Sequence, residues 1–145
     1  LTADCLPGVL VSECGRFRGI AHAGWRGLLA GVIENTLAKL SALGAKNMMA
    51  WLGPCIGPHS FEVGNEVYEA FVGQSPKSKV AFIPSAHGKF LANLQQLARL
   101  RLAAFEIQSR ACERDTLTDL DCYSYRRQTP TGRMATLVWL PDQSY

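Results

Sequence analysis

Cys5 and His22 are the two residues of this chain whose types and spacing most readily suggest chemistry. A thiolate and an imidazole are both good zinc ligands, and catalytic zinc sites usually take about three protein ligands plus a water. Asp4 adjoins Cys5 and Arg26 follows His22, so a carboxylate and a cation stand beside the pair. The carboxylate would suit a general base or a supporting acceptor, and the cation an anionic substrate group. The same two side chains equally suit a metal-free dyad in which imidazole activates the thiol as a nucleophile. On residue types alone both readings stand, beside the plainer one of a packed thiol and a structural histidine.

Bringing the pair together falls to a hairpin. Residues 6–12 carry Pro7, Gly8 and the apolar run Val9-Leu10-Val11, a strand; 13–16 make a turn and 17–22 the returning strand. With Ser12 opposite Phe17, His22 falls opposite Pro7, and Cys5 lies two residues further along on the same side. A register slipped by one would part them, so the site hypothesis depends on this pairing.

After Gly24-Trp25-Arg26-Gly27, the apolar spacing from Leu28 to Leu43 predicts one amphipathic helix with Gly44 as its C-terminal cap. A buried strand is expected over 48–52, then a Gly- and Pro-rich loop over 53–58. The pattern further predicts a short helix over 65–71, a polar loop over 74–79, a strand over 81–83 and the longest helix over 90–105. Ile107 and its neighbours read as a strand, and 122–125 and 134–140 as two more, joined by a turn around 128–132. Helices alternate with strands, but the adjacent strand pairs look like hairpins. The expected fold is therefore α+β, mixed sheets covered by helices in layers, rather than a doubly wound parallel sheet.

The 145 residues are one domain's worth of material, and 48% of them are hydrophobic, which argues against disorder. No apolar run approaches the roughly 18–20 residues of a membrane span, and no secretion signal is recognisable. A net charge of +3 with scattered basic residues gives no footprint for nucleic acid. The five cysteines are odd in number and form no CxxC, so a disulfide framework is not expected and a reducing, cytoplasmic setting fits better. The histidines number three, His22, His59 and His87, without the closely spaced pairs of a multicopper oxidase, so copper oxidase chemistry is not expected. The chain opens on Leu1-Thr2-Ala3-Asp4-Cys5, with neither methionine nor linker, and reads as the C-terminal part of a larger domain.

Several stretches resemble one known family. Thr2-Ala3-Asp4-Cys5-Leu6-Pro7 is similar to its TADCLP motif, and His22-Ala23-Gly24-Trp25-Arg26-Gly27 to its HAGWRG motif. The segment from Gly53 to Pro58, with Phe61-Glu62-Val63-Gly64, resembles GPxIGPxxYEVG; Ser124-Tyr125-Arg126-Arg127 with Thr131-Gly132-Arg133 resembles FSYRRxxxTGR. On these motifs the chain is identified as a member of the laccase-domain family, also met as the YfiH/YlmD purine nucleoside phosphorylase family.

That resemblance implies a zinc ion held by His, Cys and His, with Cys5 and His22 as the second and third ligands and the first histidine upstream of this sequence. His59 and His87 match no ligand position. It also implies phosphorolysis of adenosine, inosine and methylthioadenosine, and deamination of adenosine, with purine nucleoside and phosphate as the small-molecule partners. A zinc-bound water suits deamination. Phosphorolysis needs a phosphate pocket, for which Arg26, Arg126, Arg127 and Arg133 are the available cations. Asp4 and Arg26 join Cys5 and His22 as expected catalytic residues; Arg126, Arg127 and Arg133 are the expected substrate-binding ones. Trp25 is read as a purine-stacking ring or as an anchor of the strand-to-helix turn. Cys55 is read as packing. The rival expectations are a Cys–His hydrolase of peptidoglycan-precursor editing, with Cys5 as nucleophile, and a catalytically incompetent fragment.

Overall fold

The computed structural model describes residues 1–140. Along the chain run β1 (Leu6–Ser12), β2 (Arg18–Ala23), α1 (Trp25–Leu29), α2 (Val32–Ala42), β3 (Met48–Leu52), β4 (Glu62–Val63), α3 (Asn65–Gln74), β5 (Phe82–Pro84), β6 (Phe90–Ala92), α4 (Leu94–Ala103) and β7 (Ser109–Ala111). The first sheet has the order β2-β1-β3-β7 and the second β4-β6-β5. In the first, β1 pairs antiparallel with both β2 and β3, and β3 pairs parallel with β7. The second is antiparallel throughout. This is the α+β arrangement of mixed sheets and helices that the sequence led us to expect.

The hairpin has the expected register: Pro7 faces His22, and the Ser12 amide donates to the Phe17 carbonyl at 2.9 Å. Leu6, Leu10, Ala21, Ala23, Ala50 and Leu52 share the inner face of this sheet and are buried. Against them pack Leu28 of α1, Ile33, Leu37 and Leu40 of α2, and Leu94, Leu97 and Leu102 of α4. Full burial of each such leucine contributes roughly 2 kcal/mol, so this one core fixes the hairpin rigidly. The opposite face of the sheet carries Ile20, Met49 and Trp51, at 43%, 56% and 40% exposure. β3 is therefore half-buried and alternating, not buried throughout as its run of apolar residues suggested.

Other expectations also need correction. The single helix over 28–43 is two helices, broken at Gly31, whose φ of 77° lies in the left-handed region that favours glycine. Gly44 does follow α2 as its cap, with the Ala45 amide reaching back to the Leu40 carbonyl at 3.0 Å. The helix expected over 90–105 begins only at Leu94, where the Asn93 side chain accepts from the Gln96 amide at 2.9 Å. Phe90 to Ala92 instead form β6, with Phe90 stacked on Tyr68 at 4.2 Å. α2, with 11 residues, is thus longer than α4, with 10. Pro76–Ala81 is a 3-10 helix where a loop was expected.

The last two expected strands do not form among the described residues. Residues 122–125 lie in a turn-rich segment, and Met134 makes only an isolated antiparallel bridge with Thr2. Among the described residues the apolar pattern after Met134 is left largely uncovered: Leu137 and Trp139 are 75% and 73% exposed.

Candidate functional site

One end of the hairpin opens into a cavity of about 310 Å³ whose lining includes Thr2, Cys5, His22, Trp25, Arg126 and Arg133. A larger groove, about 490 Å³, runs between α2 and residues 105–107 and is lined by no thiol, imidazole or guanidinium. Of these two, the smaller cavity is the one with chemical capacity.

Cys5 and His22 meet there because β1 and β2 pair as they do. Gly24 completes the approach: a β-carbon on it would lie 2.8 Å from Cys5 Sγ and 3.8 Å from His22 Cδ2. The thiol thus rests against bare backbone at the very point where the strand turns into α1. Half-burial pushes the Cys5 thiol above its ordinary value; the charge of Asp4 acts in the same direction, and those of Arg133 and Arg26 oppose it. A raised thiol is the reverse of what a metal-free nucleophile requires.

Asp4 is buried and holds a φ of 75°, unusual for a residue with a β-carbon. Its Oδ1 accepts from the Thr116 hydroxyl at 2.7 Å, its Oδ2 from the Arg126 amide at 2.8 Å, and its carbonyl from the Ile56 amide at 2.9 Å. Three chain segments are thereby tied beside Cys5. This engagement suits a framing carboxylate rather than the free general base that was one of the expectations for it.

The four arginines part company. Arg126 and Arg133 line the cavity. The Arg126 guanidinium lies 5.3 Å from the Phe61 ring and donates to the Glu62 carbonyl at 3.2 Å. That of Arg133 lies 6.0 Å from the Tyr125 ring. Arg26 stacks at 4.3 Å on Trp25, outside the lining, with its charge still felt at Cys5. Arg127 is spent on structure: Nη1 donates to the carbonyls of Thr116, Leu117 and Asp119 at 3.0, 3.1 and 3.0 Å, and Nη2 to that of Cys122. Its guanidinium staples a loop and is not part of the cavity wall.

Sequence reasoning missed Thr116, which sits in no motif and carries no local signal. It also gave no role to Thr2, whose buried hydroxyl has no hydrogen-bond partner in the cavity wall. Its place in the TADCLP motif was the available hint. Among the described residues no three His, Cys, Asp or Glu side chains gather closely enough to hold a metal ion. The described cysteines are all free, and no described helix is long and apolar enough to cross a membrane.

Residues 1–141 match the family described as multi-copper polyphenol oxidoreductase laccase. The chain belongs to this laccase-domain family. Similar curated proteins are the purine nucleoside phosphorylase PA4543 of Pseudomonas aeruginosa, 47% identical over 98% of this chain, and the purine nucleoside phosphorylase YfiH of Escherichia coli, 49% identical over 97%. The laccase-domain chain spans only 60% and 58% of those two relatives' lengths. Among solved structures it resembles the Neisseria meningitidis protein NMB0706 (42% identity, TM-score 0.80) and YfiH of Bacillus licheniformis (25% identity, TM-score 0.81). Each likeness covers 87% of this chain, and 52% and 50% of the respective partner. The family membership inferred from the TADCLP and HAGWRG motifs is thus borne out.

Proposed function

We propose that this laccase-domain chain carries the reaction centre of a purine nucleoside phosphorylase, with phosphate held by Arg126 and Arg133. One observation carries the reading: the Cys5–His22 pair and these two guanidinium groups open onto the same cavity. The names of the relatives support the same substrate class. In phosphorolysis the bond from the purine nitrogen to C1′ of the sugar breaks, and a bond from C1′ to a phosphate oxygen forms. The base leaves with a proton, and the sugar leaves as its 1-phosphate. Guanidinium suits the phosphate because its fork matches two oxygens at once. Trp25, Phe61 and Tyr125 give the cavity aromatic surface for a base.

A zinc ion fits the donor types present. Cys5 and His22 would hold it, with a third protein ligand supplied from outside the described residues. When bound, the ion supplies Lewis acidity and a water of lowered pKa, the chemistry that adenosine deamination requires. The metal-free Cys–His hydrolase is the weaker reading, because burial and Asp4 both hold the thiol up. The free cysteines support a reducing compartment such as the cytoplasm.

The test is a panel of adenosine, inosine and methylthioadenosine offered to the full chain with zinc, with and without inorganic phosphate. Release of free base that depends on phosphate supports the proposal. Release of base without any need for phosphate, or no turnover of any nucleoside, refutes it.

A further inference from the structure

Arg126 reaches the cavity from a turn-rich segment, not from a helix or strand, so something else must fix its backbone. That support is the Asp4 carboxylate, which accepts the Arg126 amide at 2.8 Å on one oxygen and the Thr116 hydroxyl at 2.7 Å on the other. Thr116 is wholly buried. Its own amide donates to the Cys55 carbonyl at 3.0 Å, and its carbonyl accepts from Arg127 at 3.0 Å. Thr116 is therefore locked on the backbone side, and its hydroxyl offers Asp4 a donor that cannot wander.

We infer that Thr116 is a positioning residue for phosphate, acting through Asp4 on the backbone of Arg126. The inference rests on the proposed role of Arg126 in holding phosphate. The hydroxyl fixes one carboxylate oxygen; the other oxygen then has a set place from which to hold the Arg126 amide. With its amide pinned there and its guanidinium braced by the Glu62 carbonyl and the Phe61 ring, Arg126 is held at both ends. Losing the hydroxyl leaves Asp4 Oδ1 buried without its donor, and the carboxylate rotates to find another. The Arg126 backbone moves with it. A shift of under an ångström weakens a charge-assisted contact without dismantling the fold.

The experiment compares Thr116→Val, which keeps the shape and removes the hydroxyl, with Thr116→Ser, which keeps the hydroxyl. Each is made in the full chain and again beside Arg126→Ala. The Val substitution is expected to raise KM for phosphate about tenfold, with KM for the nucleoside unchanged. The Ser substitution restores it, and neither adds to the effect of Arg126→Ala. A fall in kcat with phosphate KM unchanged, or an equal effect in the Arg126→Ala background, overturns the inference. Should Thr116→Val fail to fold, Thr116→Cys, with its weak S–H donor, replaces it; a smaller rise in phosphate KM is then expected, and no rise overturns the inference. Calorimetric titration with inorganic phosphate separates this inference from the proposed activity. If the wild-type chain turns over no nucleoside, weaker phosphate binding in Thr116→Val than in Thr116→Ser still supports the positioning role. Equal binding, or no phosphate binding at all, overturns it.

Discussion

The sulfur of Cys5 lies 2.8 Å from the point where a β-carbon on Gly24 would stand, and the His22 ring lies 3.8 Å from the same point. Real β-carbons do not approach sulfur so closely, so Gly24→Ala must displace the thiol from its present place near His22. Because the thiol is the free end of a side chain, the core is not disturbed. We expect Gly24→Ala to melt close to wild type while nucleoside turnover falls about a hundredfold. Melting curves and initial rates on the same preparation check this, and retained turnover contradicts the close packing assigned to Cys5.

Asp4 accepts from two donors with its two oxygens, and the neutral amide of Asp4→Asn can accept from only one of them. Its oxygen can keep the Arg126 amide while its NH₂ donates to the Thr116 oxygen, but the Thr116 hydroxyl proton then loses its buried acceptor. The expected cost is about 1–3 kcal/mol, or roughly 2–4 °C of Tm for each kcal/mol. Thermal unfolding of the variant measures it. An unchanged Tm would show that these bonds do not contribute to the folded state.

The adjacent arginines should behave in opposite ways. Arg127→Ala strips the donors from four backbone carbonyls. Loss of stability and faster amide exchange over 116–122 are expected, by about 1–3 kcal/mol. Arg126→Ala should leave stability nearly untouched and raise KM for phosphate. The comparison requires only unfolding curves and phosphate kinetics for both variants. Reversed outcomes would exchange the roles assigned here.

Cys14 sits on the exposed hairpin turn with the Ser12 hydroxyl 3.3 Å from its sulfur. Hydrogen bonding with Ser12, then with Arg16, lowers its thiol to about 7. Cys55 is buried, and that burial raises its thiol to about 12. Alkylation should therefore strike Cys14 first, with a rate that climbs through pH 7, while Cys55 stays unmodified in the folded protein. Peptide mapping after brief iodoacetamide treatment reads this directly. Labelling of Cys55 before Cys14 would contradict the environments described.

The hairpin was legible because alternation and a four-residue turn leave little freedom in register, and register alone brings Cys5 to His22. The break at Gly31 was not legible: leucines and isoleucines keep helical spacing straight across it, and only the backbone conformation there reveals two helices. Phe90 and Leu91 likewise fit a helical stripe, and the capping Asn93 was the signal passed over. Of the arginines, the motif carried Arg126 and Arg127 equally, and their division of labour follows from where the carbonyls of 116–122 point. Thr116 had no trace in the local pattern, since its partner Asp4 lies at the other end of the sequence. No strand forms at 122–125, where the Cys122 and Tyr125 carbonyls accept from the side chains of Arg127 and Thr129, and in the last apolar stretch Met134 makes an isolated bridge with Thr2.

The central claim is that Cys5, His22 and the arginine-lined cavity perform phosphorolysis. Formation of ribose 1-phosphate from inosine, followed in the full chain beside Cys5→Ala and His22→Ala, tests it most directly. The account predicts sugar phosphate from the wild-type chain in proportion to base released, and none above background from either variant. Sugar phosphate formed undiminished by Cys5→Ala, or base released with no sugar phosphate at all, would contradict it.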